Sequence, residues 1–441
     1  MESNAYIVRW PSHPNRRAFV GRSSQWQRPL RRPTRPDDTA SVSIVIVGAS
    51  VAGVRTAQAL RSGGFEGSIT LLGEELHHPY DKPPITKAML DASGDRAPIP
   101  LLSEESLTAL DVNLRLGERA VALDPERRIV TTATGAALTY EHLVIATGVV
   151  PRTLGAMDAL SGVYAMRTAD DAADVQAALP HAEHVVAIGG GFIGAEFASA
   201  AKNYGCSVTV VEAQPIPMAH VVGSEVGALL AELHTANGVE LLTGVAFSRF
   251  EGSQKVSAVV LDDGRSLPSD LVVVGIGTLP STQWLATSGL PIADGVECDE
   301  QLRVVGFPDI HAAGDIARWP HPLYGTSMRI EHWTNANDHG AVVAASILGH
   351  PVPATPVPYV WSDQYGHRIQ IVGRPNAGEL ALRVGDAEDH LVALYADKDG
   401  SLIGAVVVDD PRLLMRCRKA IAKGARVDEV DLAPRKTSIG T

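Results

Sequence analysis

The strongest constraint on the fold is a pattern that occurs twice. Residues 41–47, S-V-S-I-V-I-V, form a short β-branched run that stops at Gly48. Such a run reads as a strand buried on both faces of a parallel sheet. It leads into G-A-S-V-A-G at 48–53, then a helical stretch with Val54, Ala57, Gln58, Leu60 and Arg61 that halts at Ser62-Gly63-Gly64. A second run, S-I-T-L-L-G, follows at 68–73. The same order returns about 140 residues later: H-V-V-A-I-G-G-G-F-I-G at 184–194, a helix ending at Gly205, and S-V-T-V-V-E at 207–212. A glycine turn between a buried strand and a helix N-terminus is a phosphate cradle, because the helix end offers free N–H groups and positive dipole. Two nucleotide-binding units of one design are therefore expected.

The cradles differ in detail. In the first, Gly48 permits the tight turn and Gly53 lets helix and strand pack closely, while Ser50 stands at the position where the backbone approaches a pyrophosphate. Serine is the next-smallest polar choice there, and its hydroxyl is itself a phosphate donor. Glu74 stands twenty-one residues past Gly53, followed by Glu75, where a carboxylate can accept both hydroxyls of an adenosine ribose. The second cradle is complete, with Gly189, Gly191 and Gly194, and Glu212 ends its second strand. That carboxylate suits a free ribose diol and repels a 2′-phosphate, and the next residues, A-Q-P-I-P-M, hold no arginine for one. NADH is thus favoured over NADPH. Two dinucleotides meeting in one chain, one resident and one exchanging, point to hydride transfer from nicotinamide to flavin.

Composition narrows the field. Net charge is −12, which argues against a nucleic-acid binder. Residues 1–40 hold eight arginines and three acids, a net of +5, so the remainder carries −17. This Arg/Pro/Ser-rich stretch has no helical or strand periodicity and reads as disordered; an organelle-targeting segment and a start codon placed too early are the alternatives. No apolar run is long enough to span a bilayer, so no membrane association is expected. The three cysteines, Cys206, Cys298 and Cys417, are too scattered for a metal cluster, and the histidines show no ligand spacing, so no metal site is expected. Low cysteine usage suits a reducing, cytoplasmic setting. Further strands, Y-E-H-L-V-I-A-T-G and D-L-V-V-V-G-I-G, also end on glycines; beyond residue 355 the runs look antiparallel and a helix closes the chain.

On P-Y-D-K-P-P-I-T-K at 79–87, A-T-G at 146–148, G-G-G-F-I-G-A-E at 189–196, A-A-G-D at 312–315, R-I-E-H-W at 329–333 and V-P-Y-V-W-S-D-Q-Y at 357–365, the chain resembles the NADH-dependent ferredoxin reductases, the putidaredoxin and rubredoxin reductase class, kin to apoptosis-inducing factor. The resemblance runs from about residue 43 to 425. It implies an α/β fold of glutathione-reductase-like architecture: two Rossmann-like domains, for FAD (41–154 and 278–354) and NAD (155–277, inserted in the first), plus a small α+β C-terminal domain (355–434). It implies that Gly48, Ser50, Ala52, Gly53, Glu74, Lys82, Lys87, Val121, Arg167, Asp315 and Trp333 hold FAD, and that Gly189, Gly191, Gly194, Glu196, Glu212 and Gly277 serve NADH. Lys82 replaces a usual arginine, and His220 stands where an arginine often reaches the NAD adenosine.

Lys87 and Glu196 are expected to form a buried ion pair that positions the two rings. Hydride transfer requires no general acid, only rings held about 3–3.5 Å apart, so catalytic residues here (Lys87, Glu196, Trp333) are chiefly positioning residues. Residues 76–100 contain no cysteine, so electrons have no sulfur relay in that region and are expected to leave for an external iron–sulfur ferredoxin serving a haem-thiolate monooxygenase or ring-hydroxylating dioxygenase. An acidic ferredoxin would meet a basic face. Arg412, Arg416, Lys419 and Lys423 share a helical stripe opposite Leu413, Cys417 and Ile421; Arg318 and Arg329 are alternative docking charges. The rival readings are an NADH oxidase, a nitrite-reductase electron-transfer subunit, or a redox-sensing NADH-binding flavoprotein; a monomer or weak homodimer is expected.

Overall fold

The fold was analysed in a computed structural model, which describes residues 42–432 apart from 93, 95, 96, 156 and 389. The expected disorder of 1–40 and the tail from 433 lie outside the described residues. The strand Ser43–Val47 is the middle of the first sheet, and its β-branched residues are buried because parallel neighbours flank it on both sides: Ser68–Leu72 and His142–Ile145. Asn113–Arg115 extends one edge and Phe307–Ala312 the other, with Arg303–Val304 antiparallel at the rim. Phe307–Ala312 comes from far down the chain, so this sheet closes only after the second nucleotide unit has been made.

The second sheet is wholly parallel. Its order is Glu240–Thr243, Ser207–Glu212, His184–Ile188, Leu271–Val274 and Val163–Ala165. Each sheet is followed in the same place by an antiparallel three-stranded meander, Ala120–Asp124 to Ala137–Thr139 in the first and Phe247–Gly252 to Ser266–Pro268 in the second. The strands that leave the two units, Val149–Pro151 and Thr278–Pro280, pair with each other as an antiparallel ribbon.

Two helices run side by side beneath the first cradle, Val51–Ser62 and Trp333–Leu348. Their backbones nearly touch: a methyl at Gly340 would fall 2.6 Å from the carbonyl carbon of Arg55. The C-terminal domain is an antiparallel sheet in the order Tyr359–Gln364, His367–Gly373, Leu402–Val408, Val392–Ala396, Glu379–Val384. The helix Pro411–Ala422 covers it, opened by Pro411 and by the Asp410 carboxylate, which accepts the Leu413 N–H at 2.8 Å. Leu413, Leu414, Cys417 and Ile421 are its buried face, as the sequence periodicity required. None of the described helices is long and apolar enough to cross a membrane.

The packing buries several histidines as neutral rings. Desolvation pushes His234, His321 and His332 down to about 4, and His311 and His339 down to about 3. In the unfolded chain each titrates near 6.5 (roughly). Between that value and the depressed folded values, the unfolded state binds more protons, so stability falls as pH drops through this window. The thermal midpoint should therefore decline clearly between pH ~7 and pH ~5, before carboxylates dominate, with net proton uptake on unfolding at pH ~5. A midpoint that stays level over that range would contradict the assignment.

Candidate active site

The two cradles are built by the same steric rule. A methyl on Gly53 would fall 1.9 Å from the Gly48 oxygen, and a methyl on Gly194 would fall 1.9 Å from the Gly189 oxygen. At Gly48 (φ +119°) and Gly189 (φ +108°) an added methyl would fall 2.1 Å from Ala146 O and 2.3 Å from Gly275 O, just past the ends of the neighbouring strands. These four glycines are thus demanded by the protein itself. Gly191 is different, because nothing in the protein lies within 4 Å of where its side chain would be. Ser50, at the matching position, caps none of the first-turn N–H groups of its helix, and Gly191 has no side chain to do so. Both helix ends therefore keep donors free for an anion.

The cradles diverge at the acid. Glu212 turns back onto its own turn: Gly190 N–H donates to Oε2 and Gln214 N–H to Oε1, both at 2.7 Å. In the first unit the register puts Gly73 at that place, since Val47 pairs with Leu72 as Ile188 pairs with Val211. A side chain on Gly73 would meet the Ala49 methyl at 2.9 Å. Glu74 is one residue further on, exposed, and 3.6 Å from Arg119. Glu75 turns inward instead, accepting from Tyr80 Oη at 2.5 Å and Lys82 Nζ at 2.7 Å. Lys82 also lies over the Tyr80 ring, and burial holds its pKa below the usual lysine range.

The structure brings Lys87 and Glu196 together. Nζ donates to Oε2 at 2.7 Å, with the glutamate side chain only 5% exposed. The pair joins the loop after the first cradle to the first turns of the second cradle's helix, Phe192–Asn203. Two hydroxyls that motif reading did not single out complete the shell: Thr86 donates to Oε2 at 2.5 Å and Ser362 to Oε1 at 2.7 Å.

Around the first cradle, Arg167 lies 3.9 Å from the Asp315 carboxylate, whose pKa is raised by burial against the pull of that arginine. A methyl at Gly148 (φ +63°) would come within 3.0 Å of the same guanidinium. Trp333 opens its helix and donates its indole N–H to Asp81 at 2.6 Å, tying that helix to the P-Y-D-K-P-P loop. Asp81 was missed from sequence, because an acid in a proline-rich loop gives no periodic signal. Val121 is passed over by the strand register, which steps from Ala120↔Thr132 to Ala122↔Thr131. A residue skipped by the ladder is a bulge with backbone groups to offer elsewhere. Gly277 (φ +94°) holds the ribbon, its carbonyl accepting from Arg152 N at 2.9 Å.

All three cysteines are buried, and burial pushes each thiol up, Cys417 to about 11. No group of histidine, cysteine, aspartate or glutamate among the described residues could hold a metal ion. The basic stripe is mostly on the surface, although Arg416 bonds Asp431. Arg329 is not an open docking charge: it is largely buried and paired with Asp294 and Glu331. Arg318 is likewise engaged by Asp294 and Glu297. His220, exposed, contributes its carbonyl to Asn376.

The model of the family "pyridine nucleotide-disulphide oxidoreductase" matches residues 42–340, and a "reductase C-terminal" model matches 359–441. This chain belongs to the pyridine nucleotide-disulphide oxidoreductase family. It is 34% identical over 385 residues to rhodocoxin reductase of Rhodococcus erythropolis, covering 86% of this chain and 90% of that one. It is 34% identical to the ferredoxin–NAD(+) reductase component of the biphenyl dioxygenase system of Paraburkholderia xenovorans, covering 84% and 90%. The putidaredoxin reductase of a covalent complex with putidaredoxin superposes with a TM-score of 0.84 at 30% identity, covering 88% and 94%. The α/β class and two-unit architecture with a C-terminal domain read from the motifs are those of this oxidoreductase family.

The ion pair makes a direct stability prediction. Lys87→Met strips the cation from a carboxylate that is 5% exposed. The expected loss in urea unfolding is about 3 kcal/mol, the low end for a broken buried pair, because Thr86 and Ser362 still donate. A loss below about 0.5 kcal/mol would mean that the pair behaves as an exposed one.

Proposed function

We propose that this chain is an FAD-dependent reductase that oxidises NADH and passes electrons to an iron–sulfur ferredoxin, which in turn serves an oxygenase. The observation that carries the reading is the Lys87–Glu196 contact at 2.7 Å, which joins two separately built dinucleotide cradles at one junction. FAD, when bound, supplies the ability to accept a hydride and release electrons singly.

The first cradle fits that group: Gly48 and Gly53 set the turn, Ser50 and Ala52 open the helix end to the pyrophosphate, and Glu74 reaches the ribose. Val121 offers backbone to the adenine, with Lys82 on the same half. Asp315 and Arg167, 3.9 Å apart, serve the ribityl chain and the ring, and Lys87 and Trp333 flank the ring. The second cradle, Gly189, Gly191 and Gly194 with Gly277 at the rim, takes NADH. Glu212 meets the ribose diol and Glu196 orients the nicotinamide end. The domain limits that go with this are 41–154 and 278–354 for FAD, 155–277 for NADH and 355–434 for the C-terminal domain.

The three thiols are buried, so the acceptor is external. Arg412 and Lys419, exposed on the helix Pro411–Ala422, and Lys423 just past its end offer an acidic ferredoxin a cationic face. Trp333, Trp361 and Tyr359 follow one another at ring separations of 6.2 and 5.7 Å, and Arg418 lies 5.9 Å from Tyr359. That run leads from the proposed ring site toward the same helix. One relative is the ferredoxin–NAD(+) reductase component of a biphenyl dioxygenase system, and a structural neighbour is seen in covalent complex with putidaredoxin. A cytoplasmic location suits such a chain.

The test is a titration of the purified yellow protein with NADH and with NADPH, followed by a ferredoxin panel with cytochrome c as the final acceptor. NADH should bleach the flavin at lower concentration than NADPH, and Glu212→Ala should narrow that preference by about ten-fold, since one repulsive carboxylate is removed. Cytochrome c reduction should depend on added ferredoxin. Rapid oxygen consumption without a carrier would overturn the reductase reading in favour of an oxidase.

A further inference from the structure

Ser362 lies on the strand Tyr359–Gln364 of the C-terminal domain, with no exposed surface, yet it is a serine. Its hydroxyl donates to Glu196 Oε1 at 2.7 Å, and the Gln364 amide donates to that hydroxyl at 3.0 Å. The opposite carboxylate oxygen, Oε2, already takes Thr86 and Lys87. The Glu196 carboxylate is therefore held at both oxygens and cannot turn without breaking a bond on one side or the other.

The hydroxyl's position is set by the sheet, where Ser362 pairs with Ile369 and Gln364 with His367. A second stitch ties the turn just past that strand to the same helix: Tyr365 N–H donates to Ser199 Oγ at 2.7 Å, three residues along the helix from Glu196 and so on the same face. A buried position without a polar task would hold valine or alanine at no cost, because a buried hydroxyl is unfavourable unless bonded.

We propose that Ser362, backed by Gln364, is a positioning residue for hydride transfer. From the C-terminal domain it locks the rotation of Glu196, and through Glu196 the placement of the Lys87 ammonium at the junction of the two cradles. This deepens the proposed NADH-oxidising function and rests on it.

The variants are Ser362→Ala, Ser362→Thr and Gln364→Leu in the full chain. The first measurement needs no turnover: a thermal double-mutant cycle of Ser362→Ala with Lys87→Met in the full flavin-loaded chain, at matched flavin content. Because both side chains act on one carboxylate, the loss in the double variant should depart from the sum of the single losses; strict additivity overturns the proposal. The second is flavin reduction by NADH at matched flavin content. Ser362→Ala should lower the maximal rate about ten-fold with KM within about two-fold, and Ser362→Thr should restore it. A merely structural serine would lower the melting temperature without that split. If Ser362→Ala does not fold, Gln364→Leu, which leaves the hydroxyl in place but unsupported, should show a smaller loss of the same kind. Unchanged rates in whichever variants fold overturn the positioning role. A wild-type flavoprotein that NADH fails to reduce would instead count against the proposed function, while the double-mutant cycle still judges the contact.

Discussion

The Glu196 carboxylate organises the centre of this molecule. A charge that is 5% exposed needs donors on both oxygens, and Glu196, on the helix at 192–203, draws them from two places far apart in the chain: Thr86 and Lys87, and Ser362. A loop, a helix and a strand of the C-terminal sheet thus meet at this one carboxylate. Losing one donor leaves the others to neutralise a buried charge, which costs stability in proportion to what they cannot supply. The consequence is geometric: the loop beyond the first cradle, the helix of the second and the C-terminal strand cannot shift independently.

What surrounds that point is a duplication carried through to the atoms. Each unit presses its first glycine on the residue just past a neighbouring strand and its third on the first, and each sends out a strand from a positive-φ glycine, Gly148 or Gly277, into the shared ribbon. The ribbon joins the two units where their exits meet, and the first sheet is completed by Phe307–Ala312 only after the chain returns from the second.

The parts of this that were legible in the sequence are those fixed by local backbone sterics or by period. Gly48, Gly53, Gly189 and Gly194 are legible because a Cβ at each would overlap a backbone oxygen. The buried face Leu413, Cys417 and Ile421 is legible because helical spacing shows it. The Lys87–Glu196 contact spans 109 residues, and only its motifs gave it away. Thr86, Ser362 and Asp81 were out of reach as site members, since hydroxyls and a loop acid carry no pattern until the fold sets their partners. The freedom expected of Arg318 and Arg329 failed for the same reason: Asp294 and Glu331 reach them through folding.

The difference between the cradles has a physical sense of its own. In the second, Glu212 is satisfied internally by Gly190 and Gln214 N–H groups, and Gly190 has no side chain to crowd it. A carboxylate with two backbone donors is satisfied by the protein itself. In the first, the matching place is Gly73, closed off by the Ala49 methyl, and the acid moves out to Glu74, where only an exposed arginine attends it. One cradle thus carries an acid satisfied by its own turn, and the other an acid displaced by one residue toward solvent.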